Sequence, residues 1–108
     1  MKVCELAEKL NLNIINMADG DAEVTGCYIG DMLSVVMSRA EEGDVWLTVQ
    51  ANVNIAAVAA LTGCAAIIIV EGMTADSATA EKAKAQGITI FQSDDTAFGL
   101  ACKIRDLI

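Results

Sequence analysis

Chemistry in this chain has to come from carboxylates, amides, hydroxyls and thiols, because the sequence contains no histidine. That removes imidazole general bases, His-containing triads and His-ligated zinc. The candidate groups fall in short polar segments that follow apolar runs: Gln50-Ala51-Asn52-Val53-Asn54, Glu71-Gly72-Met73-Thr74 and Gln92-Ser93-Asp94. Gln50, Asn52, Asn54, Gly72 and Ser93 offer neutral donors and acceptors for a small polar ligand, flanked by the carboxylates Glu71 and Asp94. The pair Glu71 and Asp94 is also the basis of the enzyme alternative, a small hydrolase or transferase with a divalent cation. No GxGxxG or GxxxxGK[ST] occurs, and no Lys or Arg stands in these segments. Glu71, Asp94 and Asp95 would repel a phosphate, so a neutral or cationic ligand is electrostatically easier. Each group has a structural use as well: Asn52 and Asn54 suit the start of a helix over Ile55–Leu61, and Asp94 suits the start of the last helix.

Cys4, Cys27, Cys64 and Cys102 form no CxxC pair. Each reads as a small buried hydrophobe in a cytoplasmic protein, with no metal and no cofactor. A thiol-based redox partner is the competing use, but no Lys or Arg stands beside Cys27 to lower its pKa.

The elements that would position these groups follow from periodicity. Val3–Leu10 has apolar residues at helical spacing, Leu12–Ile15 and Val24–Ile29 read as strands, and MLSVVMSRA after Gly30-Asp31 reads as a helix capped by Asp31. Strand and helix then alternate: Val45–Val49 and a helix from about Asn52; Ala65–Val70 and a helix Asp76–Gln86 stopped by Gly87; Ile88–Phe91 and a helix Asp94–Ile108. This alternation predicts an α/β fold, a compact single domain over 1–108 with a mainly parallel sheet and helices on both faces. In such a sheet the loops after the strands share one edge, which brings the candidate groups together. The helix Ile55–Leu61 is apolar all round and is expected to be buried on more than one side.

The uncharged run from Val45 to Val70 is long enough to raise a membrane-spanning helix. Gln50, Asn52, Asn54 and the Thr62-Gly63 break instead favour strand, helix, strand. Composition points the same way: 55% hydrophobic residues with 20% charged is a globular balance, and 15 Asp+Glu against 7 Lys+Arg gives a net charge of -8. That charge disfavours nucleic acid and anionic membranes as partners.

The segments YIGDMLSVVMSRAEEGDVWLTVQANVNIAAVAAL, GCAAIIIVEG and EKAKAQGITIFQSDDTAFGLACKI resemble the DRTGG domain over about residues 24–108. The resemblance implies a fold related to the amino-terminal domain of HPr kinase, self-association, and a regulatory or structural role without an established activity. The Asp-Arg part of the family's motif falls at Ala51-Asn52 and the Thr-Gly-Gly part at Val70-Glu71-Gly72, so only Gly72 is retained. Losing the charge pair removes any contact that depends on it.

Together these features predict a non-catalytic regulatory or interaction module that senses a small ligand at the strand C-terminal edge, or binds a protein partner. Two apolar faces, Met32–Met37 and Ile55–Leu61, exceed what one small core hides and point to a homodimer.

Overall fold

In the computed structural model, which describes residues 1–108, the uncharged β-branched runs form the centre of a five-stranded sheet. The elements in chain order are α1 (Val3–Lys9), β1 (Asn13–Asn16), β2 (Gly26–Ile29), α2 (Leu33–Arg39), β3 (Asp44–Thr48), α3 (Asn54–Thr62), β4 (Ala66–Ile69), α4 (Ser77–Gln86), β5 (Ile90–Gln92) and α5 (Ala97–Leu107). The strand order is β1-β5-β4-β3-β2. β2 to β5 are parallel, while β1 runs antiparallel to β5 with Asn13 opposite Gln92.

Alternation along each strand divides the core into layers. Val45, Leu47, Ile68, Val70 and Phe91 pack with Val3, Leu6, Ala7, Leu100 and Ile104 of α1 and α5. Trp46, Ile67, Ile69 and Ile90 face the other way, against Val36, Ile55, Ala56, Val58, Ala59 and Ala83 of α2, α3 and α4. Coverage on both faces is why β4 is apolar at every position. Each fully buried Leu, Ile or Phe contributes about 2 kcal/mol of transfer free energy. The α/β class and the mainly parallel sheet are as the sequence predicts.

Every parallel step moves to the adjacent strand in the same direction, with the crossover helices α2, α3 and α4 on one face. The parallel strands therefore lack the reversal of order that opens a ligand crevice in doubly wound sheets.

Two sequence expectations need correction here. α3 is buried on one side only: Ala57, Ala60 and Leu61 face solvent, with Leu61 76% exposed. Small side chains make it apolar all round without a second covering layer. The cysteines are not buried hydrophobes: Cys4, Cys27 and Cys64 are half-buried and Cys102 is exposed. No helix is long and apolar enough to cross a membrane.

Candidate functional site

The loops after β2, β3, β4 and β5 lie along the C-terminal edge of the parallel strands, and hydrogen bonds join them in two groups. In the first, Asp31 Oδ1 accepts from the buried hydroxyl of Thr48 at 2.9 Å and from the backbone N–H of Val49 at 3.0 Å. Gln50 Nε2 donates to the Asp31 carbonyl at 2.9 Å, and Asn52 Nδ2 donates to Gln50 Oε1 at 3.1 Å. The N–H of Asn54 donates to Asn52 Oδ1 at 2.9 Å. The buried Thr79 hydroxyl donates to the Ala51 carbonyl at 3.0 Å, anchoring this loop to α4. Asp31 does not cap α2, whose N-cap is Met32 without a side-chain bond; the lateral partners on β3 outcompete the helix end. Asn52 stabilises a turn ahead of α3, and Asn54 is the first helical residue.

In the second group, Glu71 and Gly72 both have positive φ, 60° and 75°, and turn the chain sharply after β4. Glycine adopts this backbone freely, whereas glutamate there is strained by about 1 kcal/mol. The turn is held by the N–H of Glu71 on the Asp95 carbonyl (2.8 Å) and the N–H of Gly72 on the Ser93 carbonyl (3.0 Å). Beside it, Asn13 Nδ2 donates to Gln92 Oε1 at 2.6 Å, and Gln92 Nε2 donates to Asp94 Oδ1 at 3.2 Å. Lys103, two turns into α5, reaches back to Asp95 Oδ2 at 2.8 Å. That bond, with the N–H of Thr96, holds the Asp95 carboxyl below the usual carboxylate range. Leu10, Asn11, Asn13, Gln92, Ser93, Asp94, Asp95 and Lys103 line a polar cavity of about 450 Å³.

Of the residues singled out from sequence, Ser93 and Asp94 line that cavity, and Glu71 and Gly72 form the adjoining turn. Gln50, Asn52 and Asn54 belong to the first group and bond among themselves and to Asp31. Asp94 does not cap α5; Thr96 does, accepting from the N–H of Gly99. Asn13 and Lys103 were missed, and Gln92, at the head of the third polar segment, was given no role of its own. Asn13 enters through the antiparallel pairing of β1, which periodicity does not reveal. Lys103 could have been found from its place eight residues after Asp95, two helical turns along the same face. It gives the edge a cation that its loops lack.

At the opposite edge, a cavity of about 530 Å³ is lined by Asp19, Glu23, Glu42 and Cys64 together with the glycines that end α3 and α4. Burial and the nearby Asp44 carboxylate push the Cys27 thiol up to about 11 and raise Cys64 as well. Both sulfurs are held as thiols, the reverse of what exchange chemistry needs. No group of three or more Cys, Asp or Glu side chains is arranged to hold a metal ion.

No family model and no curated protein matches the chain. Among solved structures it is similar to the CBS and DRTGG domains of the regulatory region of Clostridium perfringens pyrophosphatase, a structure determined with the activator diadenosine tetraphosphate. The identity is 17%, the TM-score 0.71, and the likeness covers 94% of this chain and 44% of the other, so this chain spans less than half of that region. What the likeness shows is architecture: the chain has a DRTGG-like α/β fold.

Proposed function

We propose that the chain is a non-catalytic regulatory or interaction module that senses a small polar ligand at the C-terminal edge and self-associates as a homodimer. The observation that carries this reading is the likeness, along nearly the whole chain, to part of a region whose role in the pyrophosphatase is regulatory. The cavity supports the ligand part. Lys103 beside Asp94 and Asp95, with the amides of Asn13 and Gln92, presents both signs of charge and neutral donors within one concavity. That set suits a small zwitterion or a cationic polar molecule. Ser93, Asp94, Glu71 and Gly72 would touch or shape the ligand, while Gln50, Asn52 and Asn54 set the neighbouring loop.

Diadenosine tetraphosphate, the activator of the similar protein, is a poor fit by charge: Asp94 and Asp95 line the cavity and the chain carries a net charge of -8. The dimer part rests on Met37 and Leu61, exposed on the adjacent helices α2 and α3.

The test is NMR titration of the full chain with free amino acids, diamines, nucleosides and diadenosine tetraphosphate, alongside light scattering. An amino acid or diamine should shift the amides of residues 92–95, and diadenosine tetraphosphate should not. If no compound shifts them, the sensing role is wrong; a micromolar solution that scatters as monomer removes the dimer.

A further inference from the structure

We infer that the rim of the C-terminal edge docks a basic, amphipathic segment of another polypeptide. The inference rests on reading the chain as an interaction module and names the chemistry of its partner. Each loop that follows a parallel strand, or the first turn of its helix, exposes one large apolar side chain. Met32 follows β2 and is 67% exposed, Val53 follows β3 at 41%, Met73 follows β4 at 48%, and Phe98 follows β5 at 79%. Neighbouring strands lie about 4.8 Å apart, so four adjacent loops span about 15 Å, a length one helix or extended segment can cover.

The exposure is imposed by the fold. Asp31 and Gln50 tie the first two loops together, Thr79 ties the second to α4, and Glu71 and Gly72 tie the third to the fourth. These bonds fix the loops with their apolar side chains outward. Methionine and phenylalanine are enriched at interfaces, where they supply contact area.

Charge selects the occupant. Asp31, Glu71 and Asp94 are exposed in the same loops, each shortly ahead of Met32, Met73 or Phe98, and these loops contain no Lys or Arg. The cation that reaches this edge from α5, Lys103, is already paired with Asp95. A second copy meeting the rim across a two-fold axis would set one acidic rim against another, on chains of net charge -8 each. Nucleic acid and anionic lipid meet the same repulsion. A segment with alternating Lys or Arg and Leu-type residues satisfies both features, a helix laid in a groove being a recurrent mode of peptide recognition.

The probe is a synthetic amphipathic helix of leucine and lysine, with a leucine/glutamate helix as control, titrated into the full chain and followed by calorimetry and amide shifts. Binding of the lysine peptide is expected, with shifts at residues 30–32, 51–53, 71–74 and 94–98 and weakening as salt is raised. Phe98→Ser should weaken it about tenfold, the scale of one large apolar anchor. Glu71→Gln should weaken it less, and the opposite-edge variant Glu42→Gln should leave it unchanged. Binding that maps to another face, ignores Phe98→Ser, or is equally strong with the glutamate peptide overturns the inference, as does rim-dependent self-association abolished by Phe98→Ser. A dimer that persists, with a small-molecule response intact, while the lysine peptide fails to bind would reject this inference alone.

Discussion

Along the C-terminal edge, the loop after β3 and the loop after β5 use amides, hydroxyls and carboxylates to different ends. After β3, the partners are backbone groups and a buried hydroxyl: Asp31 on Thr48 and Val49, Gln50 on the Asp31 carbonyl, Thr79 on the Ala51 carbonyl. Of these, the Thr48 hydroxyl and the Ala51 carbonyl are part-buried, and a turn toward a ligand would leave them unpaired. After β5, the partners are side chains at the border of a cavity: Asn13 with Gln92, Gln92 with Asp94, Lys103 with Asp95. Such pairs can exchange one another for a ligand and lose little. The same residue types thus serve structure in one half and availability in the other, and what separates them is whether most partners are main-chain groups or side chains bordering a cavity.

If that division is right, stability effects should fall steeply from the first half to the second. Asp31→Ala strands the Thr48 hydroxyl and the Val49 N–H, and should cost about 2 kcal/mol in urea unfolding, with faster amide exchange over residues 48–52. Asp31→Asn, which keeps an acceptor, should recover much of the loss. An unchanged midpoint for Asp31→Ala would erase the contrast. Thr79→Val leaves the Ala51 carbonyl without its partner and should cost about 1 kcal/mol. Gln92→Met should cost less than Thr79→Val, because Asn13 and Asp94 are exposed and can turn to water. It should nevertheless alter ligand-induced shifts at Ser93 and Asp94.

The fold was legible because it rests on patterns that are local in sequence. The runs Val45–Val49 and Ala65–Val70, the Asp76 cap, where the carboxylate accepts from the N–H of Thr79, and the left-handed Gly87 each announce themselves within a few residues. The candidate site was half legible. Ser93, Asp94, Glu71 and Gly72 were placed by the rule that loops after parallel strands share an edge. Asn13 was hidden because β1 joins that edge antiparallel, 79 residues from its partner Gln92. Asp31 was misread as a cap because its partners Thr48 and Val49 lie 17 and 18 residues away, beyond any local pattern. Leu61 was misplaced for a different reason: hydrophobic residues on α3 say which side chains could be buried, while the number of layers above them decides which are.

The smallest expected effect on stability is also the most specific to the open half. Lys103 is 61% exposed, so replacing it by methionine should leave neutral-pH stability almost unchanged, as for most surface ion pairs. Its effect should appear in titration. The Lys103 hydrogen bond is the largest influence holding Asp95 down, with the Thr96 N–H second. A carboxyl depressed in the folded state contributes stability that is complete above its unfolded pKa and lost as pH falls through the folded value. Lys103→Met should therefore raise the Asp95 titration midpoint, read by carboxyl-carbon NMR, toward the ordinary range without fully reaching it, since Thr96 still donates. Acid unfolding should begin at slightly higher pH. If the Asp95 midpoint does not move, Lys103 is not held on Asp95 in solution and its ammonium is free, which would make the β5 half more cationic and bring anionic ligands back into contention.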